Sequence, residues 1–127
     1  MKFYVAGKWQ GRSAVQQVQR MLIARRHTIT VDWTNHTNPE EDSMLQEWAI
    51  RDVEGVLACD TYIGLFTGNH YYTGALVEMG VALGLGKRVW VIGNGINACI
   101  FLSHPLVTKF PTVKSMLRVL DTKTKEG

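Results

Sequence analysis

The chain has 127 residues, of which 46% are apolar and 20% are charged, and its formal net charge is +3. This length fits one compact domain, and the apolar share is large enough for a core, which excludes a disordered tail and a coiled coil. The small positive charge does not argue for binding to nucleic acid. We therefore expect a single domain over residues 1–127 that binds no nucleic acid polymer.

No targeting or metal-binding signal is visible in the sequence. The N-terminus lacks the pattern of a signal peptide, and no apolar stretch is long enough to span a membrane. Cys59 and Cys99 lie in apolar stretches outside any zinc-type spacing, which indicates core residues in a reducing compartment. We expect a cytoplasmic protein without membrane or metal contacts. The histidines are predicted to lie at the surface: His27, His36, His70 and His104.

Strand-like and helix-like segments alternate in the first half of the chain. A β-rich run at Lys2–Ala6 precedes a helical spacing of apolar residues over Ser13–Arg26. The β-branched run Thr28–Trp33 predicts a second strand, and the polar segment Thr34–Asp42 predicts a loop. The amphipathic pattern of Ser43–Cys59 predicts a second helix.

The second half continues this alternation and defines the fold class. Its predicted elements are, in order, a strand at Thr61–Phe66, a loop at Thr67–Tyr72, an apolar helix at Gly74–Gly86, strands at Arg88–Ile92 and Val107–Phe110, and a helix at Thr112–Leu120. The charged tail 121–127 is predicted to fray. The order predicts an α/β domain with one doubly wound, mainly parallel five-stranded sheet, helices on both faces and a Rossmann or flavodoxin-like layout. Ligands bind such sheets outside the carboxyl ends of the strands.

Glu78 is the most informative residue, because it is the only Asp, Glu, Lys, Arg or His between His70 and Lys87. Its neighbours predict a helix that is buried on most sides, where a carboxylate loses hydration and must be paired, neutralised or used. We expect the positive end of the helix dipole to keep it ionised. It is then a candidate nucleophile or an anchor for hydroxyl groups. The alternative is a structural glutamate that binds backbone amides of a loop.

Asp52 is a second carboxylate on an apolar side of a helix. It lies four residues after Trp48 and four before Val56, so it falls on the apolar stripe of its predicted helix. Two interpretations stay open: Asp52 belongs to the site with Glu78, or it accepts a hydrogen bond from a neighbouring loop.

The segment Gly7–Ser13 follows the first strand and opens a helix. It is neither a GxGxxG motif nor a Walker A loop, but its backbone amides and Arg12 could face an anion. Trp9 lies in a polar loop, which favours a stacking surface or an interface over a place in the core.

Three segments, in order and with fitting spacing, resemble the nucleoside 2-deoxyribosyltransferase family. That family includes relatives that hydrolyse the N-glycosidic bond of deoxynucleoside 5′-monophosphates. The segments are Phe3–Trp9, Arg51–Asp60 and Gly74–Lys87, and the likeness extends from Lys2 to about Phe110. The third segment resembles the family's nucleophile helix.

The resemblance implies roles for individual residues. Glu78 matches the glutamate that attacks the anomeric carbon, Asp52 an aspartate beside the substrate, and Tyr4 the tyrosine whose hydroxyl orients the glutamate. Trp9 matches an aromatic residue near the nucleoside, and Asn97 an asparagine that a neighbouring subunit lends to the sugar. The remaining substrate-binding candidates are Gly7, Arg12, Tyr72 and Gly74.

One position departs from the family pattern. Transferases that act on free nucleosides carry an aspartate six residues before the nucleophile, and this chain has Tyr72 there. A tyrosine hydroxyl could protonate the leaving base, although its ordinary pKa of about 10 makes it a poor acid near neutrality.

The resemblance implies that the chain cleaves the N-glycosidic bond of 2′-deoxynucleosides through a covalent deoxyribosyl-Glu78 and transfers the sugar to a free nucleobase. It implies no cofactor and a homodimer or higher homo-oligomer with shared active sites. One alternative is hydrolysis of (deoxy)nucleoside 5′-monophosphates, with Lys8, Arg12 or Ser13 near the phosphate. The other is a non-catalytic nucleotide-binding module.

Overall fold

The computed structural model describes residues 1–36, 44–68, 70–96 and 99–126. In these ranges five strands and four α-helices alternate: β1 Lys2–Ala6, α1 Arg12–Ala24, β2 Thr28–Ile29, α2 Leu45–Ala58, β3 Thr61–Leu65, α3 Thr73–Gly84, β4 Arg88–Ile92, β5 Val107–Phe110 and α4 Val113–Glu126. Short 3-10 helices cover Trp9–Gly11, Trp33–Asn35 and Ile100–Ser103. All helix bounds except the end of α4 lie within two residues of the predicted ones.

The strands form one sheet in the order β2-β1-β3-β4-β5, and every neighbouring pair is parallel. The predicted doubly wound parallel sheet is therefore confirmed. Side chains of β1, β3 and β4 are almost all fully buried, as expected for strands covered on both faces. The chain runs outward from β1 to β2 and then returns to β3, so the strand order reverses between β1 and β3. A crevice opens at this point, outside the carboxyl ends of the two strands.

Close packing positions the helices around this crevice. A Cβ at Gly55 would lie 2.8 Å from Val31 Cβ and 3.0 Å from Tyr4 Cδ2, so only glycine lets α2 approach β1 this closely. On the other side, the hydroxyl of Tyr62 in β3 donates a hydrogen bond of 2.6 Å to the carbonyl oxygen of Ala75 in α3. Both contacts fix helices that carry predicted site residues.

The second strand is shorter than predicted. The prediction covered Thr28–Trp33, but β2 ends at Ile29 and the chain turns into the 3-10 helix Trp33–Asn35. The Asp32 side chain begins this turn by accepting a hydrogen bond of 3.0 Å from Thr34 N. The indole of Trp33 donates a hydrogen bond of 2.6 Å to Val5 O, so this ring is held near the end of β1. Most of the predicted loop, residues 37–42, lies outside the described residues.

The last helix is longer than predicted. Helix α4 continues through the charged segment to Glu126. The side chains of Met116 and Leu120 are fully buried, and Arg25 Nε lies 2.9 Å from Asp121 Oδ1. Because these contacts attach the end of α4 to α1, the helix does not end at Leu120.

Two burial predictions also differ from the structure. Helix α3 buries Ala75, Met79 and Ala82, but its outer face is bare, and Val77 is 62% exposed. The prediction of burial on most sides is wrong for the single chain, because α3 contacts β3, β4 and α2 on one side only. His27 was predicted to lie at the surface, yet it is buried. Its Nδ1 atom lies 3.0 Å from the amino nitrogen of Met1.

Candidate active site

A cavity of about 570 Å³ lies at the carboxyl ends of β1 and β3. Its wall combines the loop after β1, the loop before α3 and the facing side of α2. Most of the predicted site residues line it, namely Gly7, Trp9, Asp52, Tyr72, Gly74 and Glu78. Arg12 does not line it, and Asn97 lies outside the described residues.

Glu78 faces this cavity from the second turn of α3, and Tyr4 holds it from the sheet. The hydroxyl of the buried Tyr4 donates a hydrogen bond to Glu78 Oε2. The Tyr4 ring is stacked on Tyr62, with ring centroids 6.2 Å apart and an interplanar angle of 16°. Because Tyr62 is itself bonded to α3, the Tyr4 hydroxyl has little freedom to move. The orienting contact expected between Tyr4 and Glu78 is therefore present.

The protonation of Glu78 differs from the sequence-based expectation. The pKa of Glu78 is raised to about 7, mainly by burial; the hydrogen bond from Tyr4 opposes the increase, and the charge of Asp52 adds to it. The helix dipole does not keep the group fully ionised, since its effect fades beyond the first turn and Glu78 is the sixth residue of α3. Burial, followed by the charges of Glu78 and Asp52, raises the pKa of Tyr4 far above its ordinary value. Tyr4 is therefore a hydrogen-bond donor only.

Asp52 faces the same cavity from α2. Its Oδ1 atom is buried and has no hydrogen-bond partner among the described residues. Burial raises the pKa of Asp52 to about 6. A buried carboxylate oxygen without a partner is costly unless the group is protonated or a ligand binds to it. The alternative interpretation, in which Asp52 accepts a hydrogen bond from a neighbouring loop, finds no support in the described part of the chain.

His36 is a cavity residue that the sequence interpretation missed. It was predicted to be a surface histidine, but it lines the cavity with Nε2 3.9 Å from Asp52 Oδ1. Its ring is stacked on Trp48, with centroids 4.8 Å apart and an interplanar angle of 8°. Burial, followed by the charge of Arg51, lowers the pKa of His36, while Asp32 raises it. A usable signal was its place in the segment that follows the predicted second strand, on the edge of the sheet where ligands bind.

Aromatic rings form much of the cavity wall. Trp33 and Trp48 line it beside His36, and Trp9 lines the side formed by the loop after β1. The guanidinium of Arg12 lies 4.2 Å from the Trp9 ring centroid, and its Nη1 donates a hydrogen bond of 3.1 Å to Trp9 O. Arg12 therefore supports Trp9 from outside the cavity, and its contact with substrate stays a prediction. Flat rings on two sides of a cavity suit a planar base.

Tyr72 has no free hydroxyl for a leaving base. The side chain is 5% exposed, and its hydroxyl donates a hydrogen bond of 2.7 Å to Gly68 O and accepts one of 3.0 Å from Gly68 N. Its only proton is therefore used within its own loop. The hypothesis that Tyr72 acts as the acid does not fit this geometry, although its ring does line the cavity.

The described residues offer no obvious place for a metal ion. Within residues 1–36, 44–68, 70–96 and 99–126, no three His, Cys, Asp or Glu side chains group as metal ligands would. None of the helices in the same ranges is both long and apolar enough to cross a lipid bilayer.

The parallel sheet, with two carboxylates in a cavity at its carboxyl edge, has the layout of an α/β enzyme. A family model described as nucleoside 2-deoxyribosyltransferase matches residues 3–105. The chain therefore belongs to the nucleoside 2-deoxyribosyltransferase family, and it is an enzyme of the glycosyl-transfer or N-glycosidic hydrolysis type. The resemblance drawn from the sequence is confirmed.

Solved structures share the fold at low sequence identity. A CMP N-glycosidase from Clostridium botulinum has a TM-score of 0.64 and 16% identity, over 96% of this chain and 99% of that chain. A 2-deoxyribosyltransferase from Bacillus psychrosaccharolyticus has a TM-score of 0.71 and 21% identity, over 91% of this chain and 90% of that chain. A 2-deoxyribosyltransferase from Leishmania mexicana has a TM-score of 0.54 and 18% identity, over 72% of this chain and 63% of that chain. No curated protein matches the chain.

Proposed function

We propose that this chain cleaves the N-glycosidic bond of a 2′-deoxynucleoside through a covalent deoxyribosyl ester on Glu78 and passes the sugar to a second nucleobase. The observation that carries the proposal is Glu78 itself, a carboxylate in an aromatic-lined cavity with one oxygen held by Tyr4. The family of the chain and the fold of its solved neighbours support this class of reaction.

In the first step Glu78 acts as the nucleophile of a retaining glycosidase. Tyr4 holds Oε2, which leaves Oε1 to attack C1′ as the bond from C1′ to the base nitrogen breaks. The bonding electrons go to the base, and positive charge develops on the sugar ring. The carboxylate of Glu78 stabilises this charge before the ester bond forms.

Asp52 is the group that we assign to protonation of the leaving base. Its buried Oδ1 has no hydrogen-bond partner among the described residues, and its pKa of about 6 is close to working pH. His36, 3.9 Å away, is placed to orient this carboxyl group. The charge of Asp52 raises the pKa of Glu78. With pKa values of about 6 and about 7, a single proton lies mainly on Glu78, so the reactive form, with the proton on Asp52 and Glu78 ionised, is the minor one of the two.

In the second step a nucleobase attacks C1′ from the face that the first base left. Asp52 takes up a proton from this base, the ester to Glu78 breaks, and the new nucleoside keeps the original configuration. If water attacks instead, the enzyme is a hydrolase. The second candidate is hydrolysis of nucleoside 5′-monophosphates, and Tyr72 favours it because the aspartate expected of transferases is missing there.

We propose that a second copy of the chain covers the bare face of α3, as in an assembly with shared active sites. Val77 on α3 and Phe101 in the 3-10 helix after β4 are large, apolar and exposed in the single chain. They border an apolar groove that also includes Leu83. An exposed apolar surface of this kind is typical of a protein interface.

Incubation with deoxyinosine, with and without adenine, tests the proposed function. Transfer gives deoxyadenosine only when adenine is present, and intact-protein mass spectrometry shows a deoxyribosyl adduct that Glu78→Gln lacks. Hypoxanthine release without deoxyadenosine supports the hydrolase instead. Full turnover by Glu78→Gln would exclude Glu78 as the nucleophile, and binding without turnover of nucleosides or nucleotides would indicate a non-catalytic module.

A further inference from the structure

The carboxylate of Asp32 organises the short turn that follows β2. Its Oδ1 atom accepts hydrogen bonds of 3.0 Å from Thr34 N and 3.2 Å from Gln19 Nε2, and it also accepts one from the Thr34 hydroxyl. Its Oδ2 atom accepts a bond of 3.0 Å from Asn35 Nδ2. A side chain that begins a helix commonly accepts one bond from a backbone amide, whereas this carboxylate gathers four donors.

Helix α1 anchors this turn to the body of the protein. Gln19 in α1 is buried, and a buried amide is costly unless it is paired, so its bond to Asp32 explains its place there. Gln16, about one helical turn earlier, donates a second bond of 3.1 Å to Thr34 Oγ1. No residue of α1 is among the described residues that line the active-site cavity. Helix α1 therefore acts on the site only through the turn that it holds.

The turn places two rings in the cavity wall. The indole of Trp33 is bonded to Val5 O, and His36 N donates a hydrogen bond of 3.1 Å to Trp33 O. The His36 ring lies flat on Trp48, with its Nε2 3.9 Å from Asp52 Oδ1. This distance is longer than a hydrogen bond, and such contacts tighten when substrate binds. The position of the turn therefore decides whether His36 reaches Asp52.

We propose that Asp32 is a positioning residue of the active site, which acts through His36 by holding the turn that sets the distance between the His36 ring and Asp52. This inference rests on the proposed function, because it takes Asp52 as the group that protonates the leaving base. Asp32 does not line the cavity, so it affects the reaction only by placing another side chain. A displacement of about 1 Å in a reacting group lowers a rate by up to about 10²-fold.

Two substitutions separate the shape of the turn from the charge of Asp32. Asp32→Asn keeps an oxygen in the place of Oδ1, and asparagine begins helices about as well as aspartate. Asp32→Ala removes all four bonds and releases the turn from α1. Asp60→Ala is the matched control, because the Asp60 carboxylate also accepts a backbone bond, of 2.8 Å from Lys2 N, at the opposite end of β1.

The pKa of the His36 ring, measured by NMR titration, reports on the turn without any turnover. The charged and titratable groups that face the ring are Arg51 and Asp52 on α2 and Asp32 at the start of its own turn. Burial and Arg51 lower this pKa, and Asp32 raises it. Asp32→Asn, which keeps the turn, should lower it further. Asp32→Ala should raise it towards its ordinary value, because the released ring leaves Trp48 and regains water.

Kinetics test whether the turn serves proton transfer. Asp32→Ala is expected to lower kcat for deoxyguanosine by about 10- to 100-fold, with little change in KM. The loss should be much smaller for 7-methyldeoxyguanosine, because its base leaves without a proton. Asp32→Asn keeps most of the rate, and Asp60→Ala keeps all of it. Asp32→Ala should add nothing to the loss in His36→Ala, since both remove the same contact.

Gln19→Leu is a second way to release the turn, chosen so that a loss of fold in Asp32→Ala does not stop the test. It keeps the buried volume in α1 and removes one donor to Asp32. The pKa of His36 and the rate should move as in Asp32→Ala, by smaller amounts. Urea unfolding of each variant, compared with Asp60→Ala, separates a loss of stability from a loss of rate.

Three results would overturn the positioning role. These are a pKa of His36 that moves in the same direction in Asp32→Asn and Asp32→Ala, equal losses on the two substrates in Asp32→Ala, and losses that add in the double variant with His36→Ala. A failure of the proposed function is a separate outcome, in which the wild type cleaves neither substrate. The titration of His36 then still decides whether Asp32 holds the ring in place.

Discussion

The hydroxyl of Tyr4 donates its hydrogen bond to Glu78 across 74 positions of the sequence, from the inner strand β1 to helix α3. This bond stabilises the ionised carboxylate, whereas burial favours the protonated one. The balance between them places the pKa of Glu78 at about 7. Tyr4 therefore affects how much of Glu78 is ionised at neutral pH.

Tyr4→Phe is expected to change the pH profile of kcat/KM. The pKa of Asp52 is about 6 and that of Glu78 about 7, so the pH profile of the wild type is expected to be bell-shaped and bounded by those two pKa values. Loss of the hydrogen bond raises the pKa of Glu78, so the upper limit moves upward by about one pH unit and the maximum rate falls. Tyr62→Phe is the control, because Tyr62 bonds Ala75 O and not Glu78. An upper limit that stays in place in Tyr4→Phe would contradict this role.

Glu78→Gln is expected to abolish turnover and to stabilise the fold at alkaline pH. The pKa of Glu78 rises from 4.5 to about 7 on folding, so the folded state holds this proton more tightly. The free energy of unfolding therefore falls as pH rises from about 4.5 through 7, by up to about 3 kcal/mol from this group. The glutamine of Glu78→Gln does not titrate, so the variant does not lose this stability as pH rises.

Urea unfolding at pH 5 and pH 8 checks the stability effect. Glu78→Gln should exceed the wild type clearly at pH 8 and only slightly at pH 5. The surface variant Glu54→Gln serves as the control, because Glu54 is exposed on α2. A Glu78→Gln protein that is less stable than the wild type at pH 8 would show that burial does not disfavour the carboxylate. The turnover of Glu78→Gln should be at least about 10³-fold lower than that of the wild type.

Asp52→Asn is expected to harm only those reactions in which the leaving base needs a proton. Removal of a general acid lowers the rate by about 10²- to 10⁴-fold. A 7-methylated purine leaves as a neutral base without protonation. The rate of cleavage of its deoxynucleoside should therefore fall much less in Asp52→Asn. The comparison of deoxyguanosine with 7-methyldeoxyguanosine measures the difference. Equal losses on both substrates would indicate that Asp52 positions the sugar instead.

Tyr72→Phe tests the opposite expectation for the second candidate acid. The Tyr72 hydroxyl bonds only to Gly68 in the described structure, so its loss should lower the free energy of unfolding by about 1 kcal/mol. Any change in kcat/KM should be the same for deoxyguanosine and its 7-methyl derivative. A loss confined to the base that needs a proton would restore Tyr72 as the acid.

Local patterns in the sequence were enough to predict the sheet and to place Glu78 on an apolar helix beside it. The apolar runs of β1, β3 and β4 define buried parallel strands, and an isolated carboxylate in an apolar helix defines Glu78. The structure brings the predicted Tyr4 and Asp52 to that same carboxylate. The roles of these residues in catalysis stay predictions.

Other features depend on contacts between distant residues, which local patterns do not reveal. Strand β2 ends early because the Trp33 indole bonds Val5 O, and the same turn brings His36 to Asp52. Helix α4 extends past Leu120, and there Arg25 pairs with Asp121, 96 positions away. The pKa of Glu78 depends on how deeply α3 lies against the sheet, and composition does not give that depth.

Helix α3 carries Glu78 toward the cavity and Val77 outward, one residue apart on the same turn. Whatever covers Val77 therefore also restrains the backbone that aims the nucleophile. Association between copies would tighten this turn, and dilution would loosen it. If the proposed assembly forms, we expect specific activity to vary with protein concentration even when each chain stays folded, since Glu78 and the contact surface share a single helical turn.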